Sequence, residues 1–263
     1  MTSSFPPGAE FGEDALTEDG FLGGRVRLLQ PKRGYRAATD PVFLAAAVPA
    51  RAGEAVLDLG CGAGAALICL SVRVPGLSLA GLEQQQAYAA LARRNLALNG
   101  LEADVVEGDV AAPPARLRAQ SFDHVISNPP FFAAGSGTSA GDAGRAAAHG
   151  EGSADLAGFI DLGLRRLRPG GSLTLVHRTE RLGDILAALA GRAGDVRILP
   201  IAPRPGRPAG RVIVRARKGR AAPLKLLSPF EVHAGMRHEA DAPDFSSAAQ
   251  AVLAQGAPLD LSD

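Results

Sequence analysis

The sequence predicts an α/β fold: a seven-stranded, mostly parallel sheet with helices on both faces and a reversed hairpin at its end. Two observations predict it. From Ala55 onward, short apolar runs of strand length alternate with segments of helical period, as strand–helix crossovers do. The last two runs, Val196–Ile201 and Arg211–Arg217, are separated only by the loop Ala202–Gly210. With no helix between them, they should pair as a hairpin.

Each element has its own signal. Ala55–Leu59 is a short apolar run ending in glycines, and Leu77–Leu82, Ala103–Val106, Phe122–Ser127 and Ser172–His177 continue the series of strands. Helices are expected at Ala65–Val74, Gln84–Asn99, Asp155–Leu167 and Glu180–Ala190. The second carries apolar residues at Tyr88, Leu91, Leu96 and Leu98 and stops at Asn99-Gly100. Pro169-Gly170-Gly171 closes the third, and a Gly/Ala/Ser-rich loop spans Ala133–Gly152. Beyond Leu226 the chain reads as one more extended piece and a short helix from about Phe245.

At 263 residues and 46% hydrophobic content, the chain can bury one sizeable core. The expected organisation is an acidic, flexible arm over residues 1–20 and a single domain over 21–263. No apolar run approaches the roughly 18 residues of a membrane span. Met1–Asp19 contains no Lys or Arg, which argues against a secretory signal or a basic transit peptide. Two cysteines, Cys61 and Cys69, cannot build a disulfide framework. These features point to the cytoplasm, and they leave the oligomeric state open. The net charge of +1 excludes nothing, but its distribution is uneven. Glu10, Glu13, Asp14, Glu18 and Asp19 stand together, whereas Arg204–Lys225 contains eight basic residues and no acid. An acidic arm and a basic face are one reading, and a solvated edge strand is the other.

Asp58-Leu-Gly60-Cys-Gly62-Ala-Gly64 lies between the first strand and its helix, where glycines let a cofactor approach the backbone. Glu83 closes the second strand, where a carboxylate can accept two ribose hydroxyls. A nicotinamide enzyme has a similar turn, but the spacing here is G-x-G-x-G and an acid precedes it by two residues. S-adenosylmethionine carries no pyrophosphate, so an acid beside its amino group is useful. Asp109 after the third strand can accept from the adenine amine, and Gln84 and Val110 neighbour these positions. Cys61 is expected only to pack.

Asn128-Pro129-Pro130-Phe131 follows the fourth strand directly, at the carboxyl edge where open α/β sheets bind ligands. An exocyclic amine on a base is a weak nucleophile because its lone pair is delocalised. The Asn128 oxygen and the Pro129 carbonyl can hold its two N–H groups and favour a pyramidal nitrogen. The prolines fix that carbonyl, and Phe131 offers a face for stacking. Such transfer needs positioning rather than a metal or strong base. His233 and His238 lack a cysteine pair or third ligand, so no metal is expected.

The Asn-Pro-Pro-Phe turn resembles that of amino-methyltransferases. Gln30-Pro-Lys-Arg-Gly-Tyr-Arg36-Ala-Ala-Thr39-Asp40 is similar to the segment that lies across the cofactor in the bacterial tRNA1(Val) (adenine-37-N6)-methyltransferase family. Arg145, Ala148-His149, Pro203-Arg204 and Arg215-Ala-Arg217-Lys218-Gly219 extend the likeness over about Gly20–Leu253. The resemblance implies a Rossmann-like class I methyltransferase fold and S-adenosylmethionine as cofactor. It implies that Arg36, Thr39 and Asp40 hold the cofactor and that Arg145 and His149 lie in the target-side loop.

The function expected is N6-methylation of an adenine in structured RNA, above all adenine 37 in a tRNA anticodon loop, where a loop base is easily extruded. Lys32, Arg33, Arg204, Arg215, Arg217 and Lys218 would grip phosphates. The alternatives are a guanine-N2 rRNA methyltransferase, a protein glutamine-N5 methyltransferase and a non-catalytic RNA-binding module. A nicotinamide oxidoreductase is more distant, because no hydride-transfer group is evident.

Overall fold

The structure, a computed structural model, describes residues 10–130, 155–236 and 244–262. In chain order it contains β1 (Leu16–Phe21), β2 (Val26–Pro31), α1 (Asp40–Ala47), β3 (Ala55–Leu59), α2 (Ala65–Arg73), β4 (Ser78–Glu83) and α3 (Gln86–Leu98). There follow β5 (Asp104–Glu107), α4 (Ala115–Arg118), β6 (Phe122–Ser127), α5 (Leu156–Arg166), β7 (Leu167–Arg178) and α6 (Leu182–Leu189). The chain ends with β8 (Ala193–Ala202), β9 (Arg211–Lys218), β10 (Lys225–Leu226), β11 (Phe230–Glu231) and α7 (Ser247–Gln255).

The main sheet runs β5-β4-β3-β6-β7-β9-β8-β10, with β11 also on β8. β3, β4, β5, β6 and β7 are parallel, and β9 is antiparallel to both β7 and β8, so the reversed hairpin is present. The order reverses between β3 and β6, which opens a crevice at their carboxyl ends. Register brings the site together there: Leu59 lies opposite Leu82 and opposite Ser127. Asp58, Glu83 and Asn128 therefore share one sheet edge.

Among the described residues the main sheet has nine strands, not seven. The additions are the two-residue strands β10 and β11, which pair Lys225 with Arg197 and Phe230 with Ile201 along the outer side of β8. They cover an edge that would otherwise expose unpaired backbone groups, and two residues are too few to leave a periodic signal. β7 begins at Leu167, earlier than its apolar run, and a register shift between Phe122 and His124 accommodates the Pro169-Gly170-Gly171 turn. One buried cluster, centred on Leu44, Leu67, Ile68 and Leu70, packs α1, α2 and α3 on one face. Another, around Leu57, Leu82, Ile160 and Leu173, packs α5 and α6 on the other.

The expected arm boundary at residue 20 falls inside β1, which pairs antiparallel with β2 from Leu16↔Pro31 to Phe21↔Val26. Its acids are used within the fold. Glu18 pairs with Arg27 at 2.7 Å, Asp19 with Arg36 at 2.6 Å and Glu13 with Arg94 at 2.5 Å. Phe11 and Leu16 are buried against Ala63, Tyr88 and Leu91. The segment is thus a hairpin laid over the glycine loop.

Two asparagines, Asn95 on α3 and Asn99 at its C-cap, hold that hairpin. Asn95 accepts from Leu29 N at 2.8 Å and donates to Leu29 O at 3.0 Å, pairing β2 as a neighbouring strand would. Its amide also donates to Ala63 O at 2.9 Å in the glycine loop. One turn later Asn99 repeats the pairing on Arg27, at 3.0 and 2.7 Å. The i,i+4 spacing puts both side chains on one face of the helix. Asn95 is fully buried, so its truncation strands three main-chain groups. Asn95→Ala is expected to lower unfolding free energy by roughly 2–4 kcal/mol, measured by urea denaturation. A change below about 0.5 kcal/mol would show that water replaces the clamp.

Candidate active site

A cleft of about 590 Å³ opens at the carboxyl ends of β3, β4 and β6. One wall is the glycine loop. Gly60 has φ 72° and Gly62 φ 54°, the left-handed region. A Cβ on Gly60 would lie 3.2 Å from the Phe159 ring, so close packing as well as conformation requires glycine there. The Glu83 carboxylate fastens this loop to β4: one oxygen accepts from Gly62 N at 2.9 Å and the other from Gln85 N at 2.8 Å. Burial pushes the Glu83 pKa up, while these main-chain N–H groups pull it back.

Asp58 is 3% exposed and takes no hydrogen bond or ion pair among the described residues. Burial first, and the Glu83 charge second, push its pKa up to about 8. A buried carboxylate in this position calls for a cationic partner. Across the cleft, Gln84 Nε2 donates to Asp109 Oδ2 at 3.3 Å, and Asp109 Oδ1 accepts from Ala111 N at 2.8 Å. Cys61 and Cys69 are buried free thiols, and burial raises both pKa values, which suits packing rather than nucleophilic attack.

The segment after β2 forms the roof. Gln30, 2% exposed, accepts from Ala37 N at 2.6 Å and donates to Ala37 O at 3.2 Å and Asp19 at 2.8 Å. Arg36 also donates to Pro31 O and Thr17 Oγ1, and Tyr88 donates its hydroxyl to Tyr35 O at 3.0 Å. These bonds lay the Tyr35 ring over Gly62, and its hydroxyl accepts from Asn128 Nδ2 at 3.3 Å. The other Asn128 amide atom, Oδ1, is buried and has no hydrogen-bond partner among the described residues. An orphaned buried acceptor beside an open cleft is a ligand-shaped gap. His177 lies buried at the end of β7 and accepts from Arg178 N at 2.9 Å through Nδ1. Burial lowers its pKa, so the ring is neutral.

Comparison with known proteins agrees with this geometry. The family model described as Methyltransferase small domain matches residues 38–197. This chain belongs to that methyltransferase family. It is 30% identical to the tRNA1(Val) (adenine(37)-N6)-methyltransferase of Aeromonas hydrophila, over 76% of this chain and 84% of the relative. The enzyme of the same description from Dickeya chrysanthemi is 29% identical over 78% and 81%. A crystal structure from Agrobacterium tumefaciens, described as a predicted O-methyltransferase, superposes with a TM-score of 0.66 at 28% identity, covering 84% of this chain and 98% of that one.

Within this methyltransferase, the cleft brings together Arg36, Asp40, Asp58, Gly60, Gly62, Glu83, Gln84, Asp109, Val110, Asn128, Pro129 and Pro130. Thr39 is not among the lining residues; its carbonyl accepts from Val42 N and Phe43 N at the start of α1. Phe131, Arg145 and His149 lie outside the described residues.

The basic strand is placed differently from expectation. β9 runs antiparallel, so Arg211 is at the cleft and Arg215, Arg217 and Lys218 run towards the opposite sheet edge. There Arg215 donates to Ala47 O, Arg217 to Gly170 O and Lys218 to Leu167 O. Arg204 pairs with Asp244. Arg204 is ion-paired with an acid, and the other three are hydrogen-bonded to main-chain carbonyls. Lys32 and Arg33 remain exposed beside the roof, with Lys32 donating to Asp14 O. Sequence reasoning missed Tyr35, Arg178 and Arg211 as cleft residues, although Tyr35 stood inside the quoted Gly-Tyr-Arg segment.

The Asp58 carboxyl makes the fold sensitive to pH. Its folded pKa of about 8 exceeds its ordinary 3.8, so the folded state holds the extra proton between those values. The Asp58 contribution to stability is therefore present below about pH 4 and lost as pH rises to about 8. The expected loss is on the order of a few kcal/mol. In Asp58→Asn this part of the decline should vanish, as read from urea midpoints across that range. An identical pH profile in both proteins would contradict the assignment.

Proposed function

We propose that this methyltransferase moves a methyl group from S-adenosylmethionine to the N6 amine of an adenine in structured RNA, namely adenine 37 in the anticodon loop of a tRNA, in the cytoplasm. The observation that carries this reading is the unpartnered Asn128 Oδ1 at the Asn-Pro-Pro turn, across the cleft from the unpaired Asp58 carboxylate. The cation-seeking acid sits where the glycine loop begins, and the hydrogen-bond acceptor sits where a base can be offered. When bound, S-adenosylmethionine supplies an electrophilic methyl group on a sulfonium.

The residues fit that cofactor. Asp58 would pair with its ammonium group, which would favour the ionised form of a buried carboxyl that has no partner of its own. Glu83 has spare lone pairs beyond its two main-chain donors and would accept the ribose hydroxyls. Asp109, Gln84 and Val110 would border the adenine. Gly60 and Gly62 give close access to the backbone, and Arg36 and Asp40 close the roof.

On the target side, Asn128 Oδ1 and the Pro129 carbonyl would accept the two N–H bonds of the amine. Holding both hydrogens draws the nitrogen lone pair out of conjugation and aims it. The acceptors are fixed before substrate arrives, so little reorganisation opposes transfer. The methylated nitrogen then sheds a proton to solvent, and no strong base is required. Arg178 and Arg211, register partners on β7 and β9, line the same cleft, Arg211 in an ion pair with Asp40 at 3.1 Å, and would bring positive charge towards a phosphate next to the extruded base. Lys32 and Arg33 extend that charge. The sequence alternatives, guanine-N2 and glutamine-N5 transfer, have no specific supporting contact among the described residues of this cleft.

The test is incubation with labelled S-adenosylmethionine and total tRNA from a strain lacking this gene, followed by digestion to nucleosides. Label in N6-methyladenosine is the expected result. Label in N2-methylguanosine, or none in RNA while the cofactor binds, would overturn the reading. Asn128→Ala is expected to lower turnover by at least about 100-fold, as loss of a preorganised transition-state contact does. Cofactor dissociation constants, from calorimetry, should stay within about 2-fold; equal loss of both would make Asn128 a cofactor ligand.

A further inference from the structure

We propose that the sheet edge opposite the cleft carries a second site, where Arg51, Arg215 and Arg217 receive a phosphate group. The site stands apart from the methyl-transfer cleft and does not depend on that reading.

A cavity of about 320 Å³ opens there, between the starts of β3, β6 and β7 and the end of β9. Its charged lining consists of the arginines 51, 168, 215 and 217 and of the acids Glu54, Asp123 and Asp195. Each acid is already engaged. Asp123 Oδ2 accepts from Ala55 N at 2.9 Å and pairs with Arg168 at 2.5 Å. Asp195 pairs at 2.9 Å with Arg197, which does not line the cavity. Glu54 Oε2 accepts from Arg51 N at 2.8 Å and meets His124 Nε2 at 2.9 Å, while the other ring nitrogen meets Ser172 Oγ at 2.8 Å. A carboxylate only accepts, so the ring donates to Glu54.

Three of the four arginines are thereby left without an acid among the described residues. The exposed Arg51 side chain makes no hydrogen bond or ion pair there. Arg215 reaches only Ala47 O, at 3.4 Å, and Arg217 spends Nε and one terminal nitrogen on the single acceptor Gly170 O, at 3.2 and 3.1 Å. A guanidinium carries five N–H donors, so most of theirs stay open. Arg215 is half-buried, yet none of its nitrogens is both buried and unpartnered, so its open donors can be reached. Two positions apart on β9, Arg215 and Arg217 point to one face, roughly 7 Å apart along the strand. Like charge also stands beside them: Arg215 lies directly opposite Arg197 on β8. Burial lowers the Arg215 pKa, with Asp195 and Asp260 acting the other way. Asp260 accepts from Ser262 N at 2.8 Å and Ser262 Oγ at 2.6 Å and forms no ion pair among the described residues. Crowded, half-buried guanidinium groups cost folding free energy, and a bound anion offsets that cost. Their planar forks match the oxygens of a phosphate. The phosphate is either one of an RNA backbone or one on a small molecule.

The test is calorimetric titration of inorganic phosphate into the full chain at fixed ionic strength. One saturable site is expected, with a dissociation constant of about 1 mM or tighter. Arg51→Gln breaks no side-chain bond of the fold and should weaken binding about 5-fold, and adding Arg217→Gln should bring the loss to about 10-fold or more. Arg178→Gln, in the cleft, should leave phosphate binding within about 2-fold. No saturable binding, or a loss in Arg178→Gln with none in Arg51→Gln, would overturn the proposal. Binding of tRNA across salt concentrations then separates the two sources. If the double variant lowers the slope of log affinity against log salt by roughly 2, the phosphate belongs to RNA. If phosphate binding is lost while that slope is unchanged, the site serves a phosphate-bearing small molecule.

Discussion

The side chain of Asn95 is the joint on which the cleft depends. A helix residue here does the work of a neighbouring strand, pairing both backbone groups of Leu29, and the same amide reaches the glycine loop at Ala63. One buried group thus ties together three pieces that are distant in sequence. The hairpin brings the Tyr35–Arg36 roof, α3 brings Tyr88, and the loop brings Gly62. Hydrophobic burial of Phe11 and Leu16 adds area to this contact but no register. Register comes from the directed bonds, because a slip of one residue along β2 would invert its faces.

Opposite that joint, the parallel sheet supplies a rigid floor. Pairing of β3 with both β4 and β6 sets Asp58, Glu83 and Asn128 at one edge, and the reversal of strand order leaves the gap between them uncovered. The chemistry of the three groups differs. Glu83 is satisfied by main-chain donors and holds the loop. Asp58 is a buried carboxyl whose ionised form has no partner, and Asn128 is unsatisfied as an acceptor. A folded protein keeps such groups at a cost in stability, and their shared position in a cleft ties that cost to ligand binding.

Much of this was legible in the sequence because the relevant signals are local. The strand at Phe122–Ser127 ends where the Asn-Pro-Pro turn begins, and the glycine spacing after Leu59 fixes a tight turn whatever surrounds it. The hairpin over residues 16–31 was hidden because its acids read as a charged tail. Their partners, Arg27, Arg36 and Arg94, become neighbours only on folding. The placement of the basic run Arg204–Lys225 was hidden for the converse reason. Sequence shows that Arg215, Arg217 and Lys218 are close together, but only strand direction shows that they lie towards the sheet edge opposite the cleft. The pairing of β10 and β11 with β8 was not legible, although an extended piece beyond Leu226 was, because each pairing spans only two residues. The contact between Tyr35 and Asn128 could not be read from spacing, since the two residues stand 93 positions apart.

The measurement that bears most directly on this account is a crystal structure of the protein with S-adenosylhomocysteine and adenosine bound together. The adenosine N6 is expected within about 3 Å of Asn128 Oδ1, with the cofactor ammonium on Asp58. An adenosine whose amine points away from Asn128, or a cofactor ammonium held elsewhere while Asp58 stays unpaired, would contradict it.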